Sequence, residues 1–170
     1  RNRFLSTKTG AEIGKTNTPI LVIPQEYKWC KPFTILFATN HFEEDAAILD
    51  AIFELATLFA ARVQVVIFTD EENDTPYTFL DHTLTLPRYD ETLKKKYPAN
   101  IISTEQLYGK DFSETLQRHI DANGIDLLVM VTYHKTLWDR FFHPSMTRQM
   151  SYHTKIPLLA LPSAKNEWRQ

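Results

Sequence analysis

The sequence predicts an α/β domain, a five-stranded and mostly parallel sheet with helices on both faces, joined by one extra N-terminal strand from a preceding repeat. Three observations predict it. Short β-branched runs alternate along the chain with three-and-four helical periodicities. Those runs are almost continuously apolar, as strands buried on both faces must be. Their order, β-α-β-α-β-α-β-α-β, closes into a parallel sheet when each crossover is a helix.

The first strand of the domain is Thr34 to Thr39, entered after Pro32 and left at Asn40. From Glu44 to Ala61 the positions Leu49, Ile52, Phe53, Ala56 and Ala60 recur on one helical face, with Asp50, Glu54 and Thr57 opposite. Val63 to Thr69 is the second strand. A polar loop from Asp70 to Asp81 then leads to a helix from about Thr83 to Tyr97, kinked or restarted near Pro87 and stopped by Pro98. The third strand runs from Ile101 to Tyr108, and Gly109 turns the chain into a helix from Phe112 to Ala122. Asn123-Gly124 closes that helix, because glycine adopts the left-handed conformation of a helix end without strain. Ile125 to Val131 is the fourth strand, a short helix spans Ser145 to His153, and Pro157 to Pro162 is the last strand.

One stretch repeats. Pro19-Ile-Leu-Val-Ile-Pro24 parallels Pro157-Leu-Leu-Ala-Leu-Pro162 at a constant offset of 138 positions, and the same offset aligns Phe4 with Phe142, Thr9 with Thr147 and Thr16 with Thr154. Residues 1–24 are therefore expected to be the last helix and strand of a preceding domain. Residues 25–31 are a linker, 32–162 a complete domain, and 163–170 a C-terminal tail. A strand such as Ile20 to Ile23 carries backbone donors and acceptors that need a sheet edge. Its natural partner is the equivalent strand, Leu158 to Leu161.

Composition excludes several functions. The net charge of −2 gives no positive field to gather a nucleic-acid backbone, and no apolar run is long enough to cross a membrane. The single cysteine, Cys30, has no internal partner, and no charged-then-apolar leader stands before it, which together point to the reducing cytoplasm. No Cys-x-x-Cys, His-x3-His or His-Glu-x-x-His spacing is present, so no metal site is expected despite six histidines. Thr132 is the only hydroxyl at the end of the fourth strand and lacks the Gly-x-Ser-x-Gly elbow of a hydrolase, so no catalytic residue is assigned. Lys94-Lys-Lys96 reads as a solvated helix end.

Four stretches, Ile35-Leu-Phe-Ala-Thr-Asn40, Gly109-Lys-Asp-Phe-Ser-Glu114, Asp126-Leu-Leu-Val-Met130 and Thr154-Lys-Ile-Pro-Leu-Leu-Ala-Leu-Pro162, together resemble the universal stress protein family, a Rossmann-like fold. The resemblance implies an ATP site in members that carry an acidic residue after the first strand and a G-x-x-G-x(9)-G-[S/T] loop after the fourth. Here the acidic position falls on Asn40, and the glycine positions on Val131, His134 and Pro144, followed by Ser145. The site positions are thus Asn40, Val131, Thr132, His134, Pro144 and Ser145, and the motif is degenerate. Such a loop needs glycine so that backbone N–H groups approach the phosphates; valine resists positive φ and proline has no N–H. Among the chain's four glycines, Gly10, Gly14, Gly109 and Gly124, none follows the fourth strand.

The expected function is a non-enzymatic stress-response or regulatory module that acts through dimerisation or intramolecular domain pairing, with no cofactor and no tight ATP binding. The alternative is a small-molecule or weak nucleotide binder using the pocket between Asn40, Thr132, His134 and Ser145. Ser145 caps the last helix or, alternatively, offers a weak anion site at its N-terminus. Trp138, Phe141 and Phe142 either plug the vacated pocket or face a partner.

Overall fold

Alternation of side chains along Thr34–Thr39 (β2) sends Ile35 and Phe37 to one face and Leu36 and Ala38 to the other, and all four are buried. A strand with no polar face belongs in the middle of a covered sheet. The computed structural model, which describes residues 17–132 and 155–163, places it there. β2 pairs in parallel with Arg62–Asp70 (β3) on one side and Leu127–Val131 (β5) on the other. β3 pairs in parallel with Ile102–Gly109 (β4), and β5 with Leu158–Leu161 (β6). The six-stranded order is β1-β6-β5-β2-β3-β4, where β1 is Ile20–Val22.

The helices follow from caps and apolar stripes. Ala46–Phe59 (α1) begins where the Asp45 carboxylate accepts the Ala47 N–H at 3.0 Å, and ends at Ala60 in the left-handed region, φ 53°. Pro76–Lys96 (α2) begins at Thr75, whose hydroxyl accepts the Thr78 N–H. Phe112–Asn123 (α3) begins at Asp111 and ends at Gly124, φ 59°. Buried residues of α1 and α2 pack with Ile35, Phe37, Val65 and Val129 on one face of the sheet. Phe112, Leu116 and Ile120 of α3 pack with Leu36, Phe68 and Met130 on the other. The result is three layers, as the alternating order predicts.

One element departs from expectation. α2 starts at Pro76 instead of Thr83 and runs unbroken through Pro87. Proline at the first helical position costs no hydrogen bond, and Thr75-Pro76 is a start signal within what the periodicity reads as loop. Pro87 forgoes one backbone bond, but polar anchors to β4 hold the helix on either side of it. Thr83 donates its hydroxyl to Gln106 at 2.8 Å, and Asp90 accepts that of Thr104 at 2.8 Å.

β1 adds to the sheet as expected, against β6. The pairing is antiparallel, matching Ile20 with Ala160, Leu21 with Leu159 and Val22 with Leu158. Under the 138-residue offset Leu21 corresponds to Leu159, so the middle pair joins a residue to its own counterpart and the two outer pairs interchange. The register thus has the local two-fold symmetry of the sequence repeat. Ile20 and Val22 turn one side of the strand onto the α3-side core.

Candidate functional site at the strand C-terminal edge

In a doubly wound sheet the ligand edge lies beyond the C-terminal ends of the strands, where the winding direction reverses. Here β2 leads to β3 on one side while β5 leads to β6 on the other, so the reversal falls between β2 and β5. Asn40 follows β2 and Thr132 follows β5, which brings these two predicted residues to the same point of the edge. His134, Pro144 and Ser145, with the helix expected at 145–153, the aromatic residues 138, 141 and 142, and the helix expected within residues 1–16, lie outside the described residues.

The placed residues are occupied within the fold. Val131 is 6% exposed, belongs to the core on the α1/α2 face and pairs with Leu161. Thr132 is buried and donates its N–H to the Leu161 carbonyl at 2.9 Å. Its hydroxyl reaches the same oxygen at 3.4 Å. Asn40 is half-buried with its side-chain oxygen 3.3 Å from His41 Nδ1.

Around Asn40 lies a polar network that sequence reasoning did not identify. His41 Nε2 donates to Glu43 Oε2 at 2.8 Å, and Nδ1 lies 3.0 Å from the Thr39 hydroxyl. Glu43 is 3% exposed, and its carbonyl accepts the Tyr89 hydroxyl at 2.7 Å. A second imidazole, His82, sits 2.6 Å from the Thr69 hydroxyl, to which Gln106 also donates. Burial lowers the His82 pKa, against the opposing pull of Asp74 and Asp81. Phe42 packs edge-on against His82 and Tyr89, with ring centroids 5.7 and 5.1 Å away.

A carboxylate–imidazole–hydroxyl chain is a proton-holding arrangement, but Thr39 is buried at 5% exposure and is not presented to a substrate. The network ties β2 to α2. Its sequence signal was present in the His-x-Glu pair after a strand, though two residue types two apart are too common to single out unaided. Among the described residues no group of three or more metal-ligating side chains is found, and no helix is long and apolar enough to cross a membrane. Cys30 is exposed, 3.4 Å from the Tyr27 hydroxyl.

Fold and edge together define a doubly wound α/β domain whose winding reverses between β2 and β5. The chain belongs to the universal stress protein family, whose sequence profile matches residues 33–162. A Burkholderia pseudomallei member is similar in structure at 21% identity and TM-score 0.51, with 76% of this chain and 96% of that one covered. A universal stress protein solved in complex with cAMP shares 16% identity at TM-score 0.50, covering 78% and 98%. A longer Archaeoglobus fulgidus universal stress protein shares 10% identity at TM-score 0.62, covering 93% of this chain but 54% of its own. At these identities the likeness is one of fold. No curated protein matches the sequence.

Proposed function

We propose that this chain is a non-enzymatic stress-response module, the C-terminal part of a tandem protein in which paired domains meet along β1 and β6, and that it does not hold ATP tightly. One observation carries the reading: the β1–β6 register obeys the two-fold symmetry implied by the sequence echo. A strand that terminates a preceding copy of the domain would meet the last strand of this copy in that way. The longer Archaeoglobus structure supports it, since matching that chain brings more of this one into the alignment than either shorter structure does. Residues 1–24 then close one domain, 25–31 link, and 32–162 form the next. The lone exposed cysteine fits a cytoplasmic setting.

The nucleotide side of the reading rests on the strand edge. Val131 occupies a glycine position of the family motif and is committed to the core, and the Thr132 N–H that follows it is committed to β6. Proline at 144 removes a further donor. A second reading, a small-molecule or weak nucleotide binder at the β2–β5 reversal, is favoured by the family member solved with cAMP. Asn40, with Thr132, would then orient the ligand through neutral hydrogen bonds.

Assembly separates these readings. Removing residues 1–24 uncovers the edge of β6, which is then free to pair with β6 of a second copy about the same axis. Light scattering on both forms should show the shortened chain in a higher oligomeric state than the full one. Identical masses would count against strand pairing. Mass spectrometry of the denatured extract addresses the second reading, which a stoichiometric small molecule would favour.

A further inference from the structure

Away from the strand ends, the helical layer contains a cleft of about 310 Å³ between the loop before α1, α1 itself and the C-terminal two-thirds of α2. Its floor is apolar, made by Phe42, Leu49, Leu93 and the rings of Tyr89 and Tyr97. The polar tips around that floor are spent inside the fold. Tyr89 donates to the Glu43 carbonyl, Tyr97 to the Asp50 carboxylate at 2.6 Å, and the Thr92 hydroxyl to the Arg88 carbonyl at 2.9 Å. Glu43 accepts from His41.

Two charges of the lining differ. Arg88 and Lys96 are exposed, and among the described residues neither has a carboxylate at ion-pair distance, Lys96 Nζ lying 5.4 Å over the Tyr97 ring. Their neighbours Lys94 and Lys95 do, pairing with Asp90 and Glu91 one turn earlier. Thr85, Arg88, Thr92 and Lys96 follow one another at three and four residues, so they share a stripe of α2. The two cations stand eight residues, about 12 Å, apart along the helix axis. The lining also carries two acids, Glu44 and Glu43, the latter bonded to His41.

We propose that this cleft binds a small amphipathic organic anion, a carboxylate on an aliphatic or aromatic body. The body lies on the Phe42, Leu49 and Leu93 floor, and the carboxylate takes the charge-assisted bonds that Arg88 and Lys96 leave open. Neither part alone matches the cleft. A neutral alcohol recovers only apolar burial, and an inorganic anion only the charge.

Octanoate, 1-octanol and inorganic phosphate, titrated into the full chain and followed by amide chemical shifts, test it. Octanoate should give saturable shifts centred on Leu49 and on Thr85 to Tyr97. Arg88→Gln and Lys96→Gln, both at exposed positions, should each weaken it by up to about tenfold, the worth of one charge-assisted bond. Thr92→Trp should block the cleft while the melting temperature shows the fold retained. Octanol and phosphate should each bind more weakly than octanoate. No saturable shift, shifts centred elsewhere, octanoate affinity unchanged from the parent chain in both charge variants, or octanol or phosphate matching octanoate would overturn the proposal.

Discussion

Replacing Val131 by alanine and then by glycine measures how firmly the end of β5 is committed to the core. The side chain is 6% exposed and packs on the α1/α2 face of the sheet beside Leu161. Alanine removes two methyl groups, at about 0.8 kcal/mol each before any cavity term, so Val131→Ala should cost roughly 2 kcal/mol. Glycine removes a third carbon and adds the backbone entropy of a flexible residue held in a strand, bringing the total to about 3 kcal/mol. For a domain of this size each kcal/mol lowers the melting temperature by roughly 2–4 °C. Circular dichroism melts of the three proteins, with urea titrations to convert the shifts, provide the assay. A glycine variant that loses less than about 1 kcal/mol would refute the reasoning, because a side chain packed as Val131 is cannot be removed so cheaply.

Two helix ends give opposite signs for the same backbone physics. At Gly124 an added Cβ meets no atom within 4 Å, so Gly124→Ala isolates the strain of φ 59° and should destabilise by about 0.5–1 kcal/mol in urea titrations. Ala60 already sits at φ 53°, so Ala60→Gly should gain a similar amount; a loss there would contradict the assignment of strain. Two buried imidazoles make stability depend on pH. Burial holds His82 and His119 below their usual value, with Glu105 pulling His119 the other way. Below about pH 6.5 the unfolded chain therefore takes up protons that the folded chain resists, and stability falls with pH until the folded-state values are reached. The fall in urea midpoint on acidification should shrink in a His82→Gln, His119→Gln double variant, and an undiminished fall would rule these two groups out.

What the sequence made legible were features with a strong local or repeating signal. β2 was read residue for residue from Thr34 to Thr39 because every position is apolar or small and proline and asparagine bracket it. Gly124 announced the end of α3, and the proline-bracketed echo announced the pairing of β1 with β6. The start of α2 was missed because its first turns carry Tyr77, Leu80 and Leu84 exposed, so no buried stripe marks Pro76 to Asp81 as helix, and only the Thr75-Pro76 cap does. At the site, sequence spacing brought Asn40 and Thr132 to one edge. The bond that occupies Thr132, to Leu161, depends on a strand neighbour that spacing does not reveal. The cleft between α1 and α2 escaped notice for the same reason: Leu49 and Leu93 lie far apart in the chain and meet only when the two helices share a face of the sheet.

Calorimetric titration of the full chain with Mg-ATP tests the central claim most directly. A strand edge at which Val131 belongs to the core, and whose next amide is bonded to β6, should give no saturable heat up to about millimolar nucleotide, the range of affinities worth only ~4 kcal/mol. A one-to-one isotherm at micromolar concentration would contradict the account.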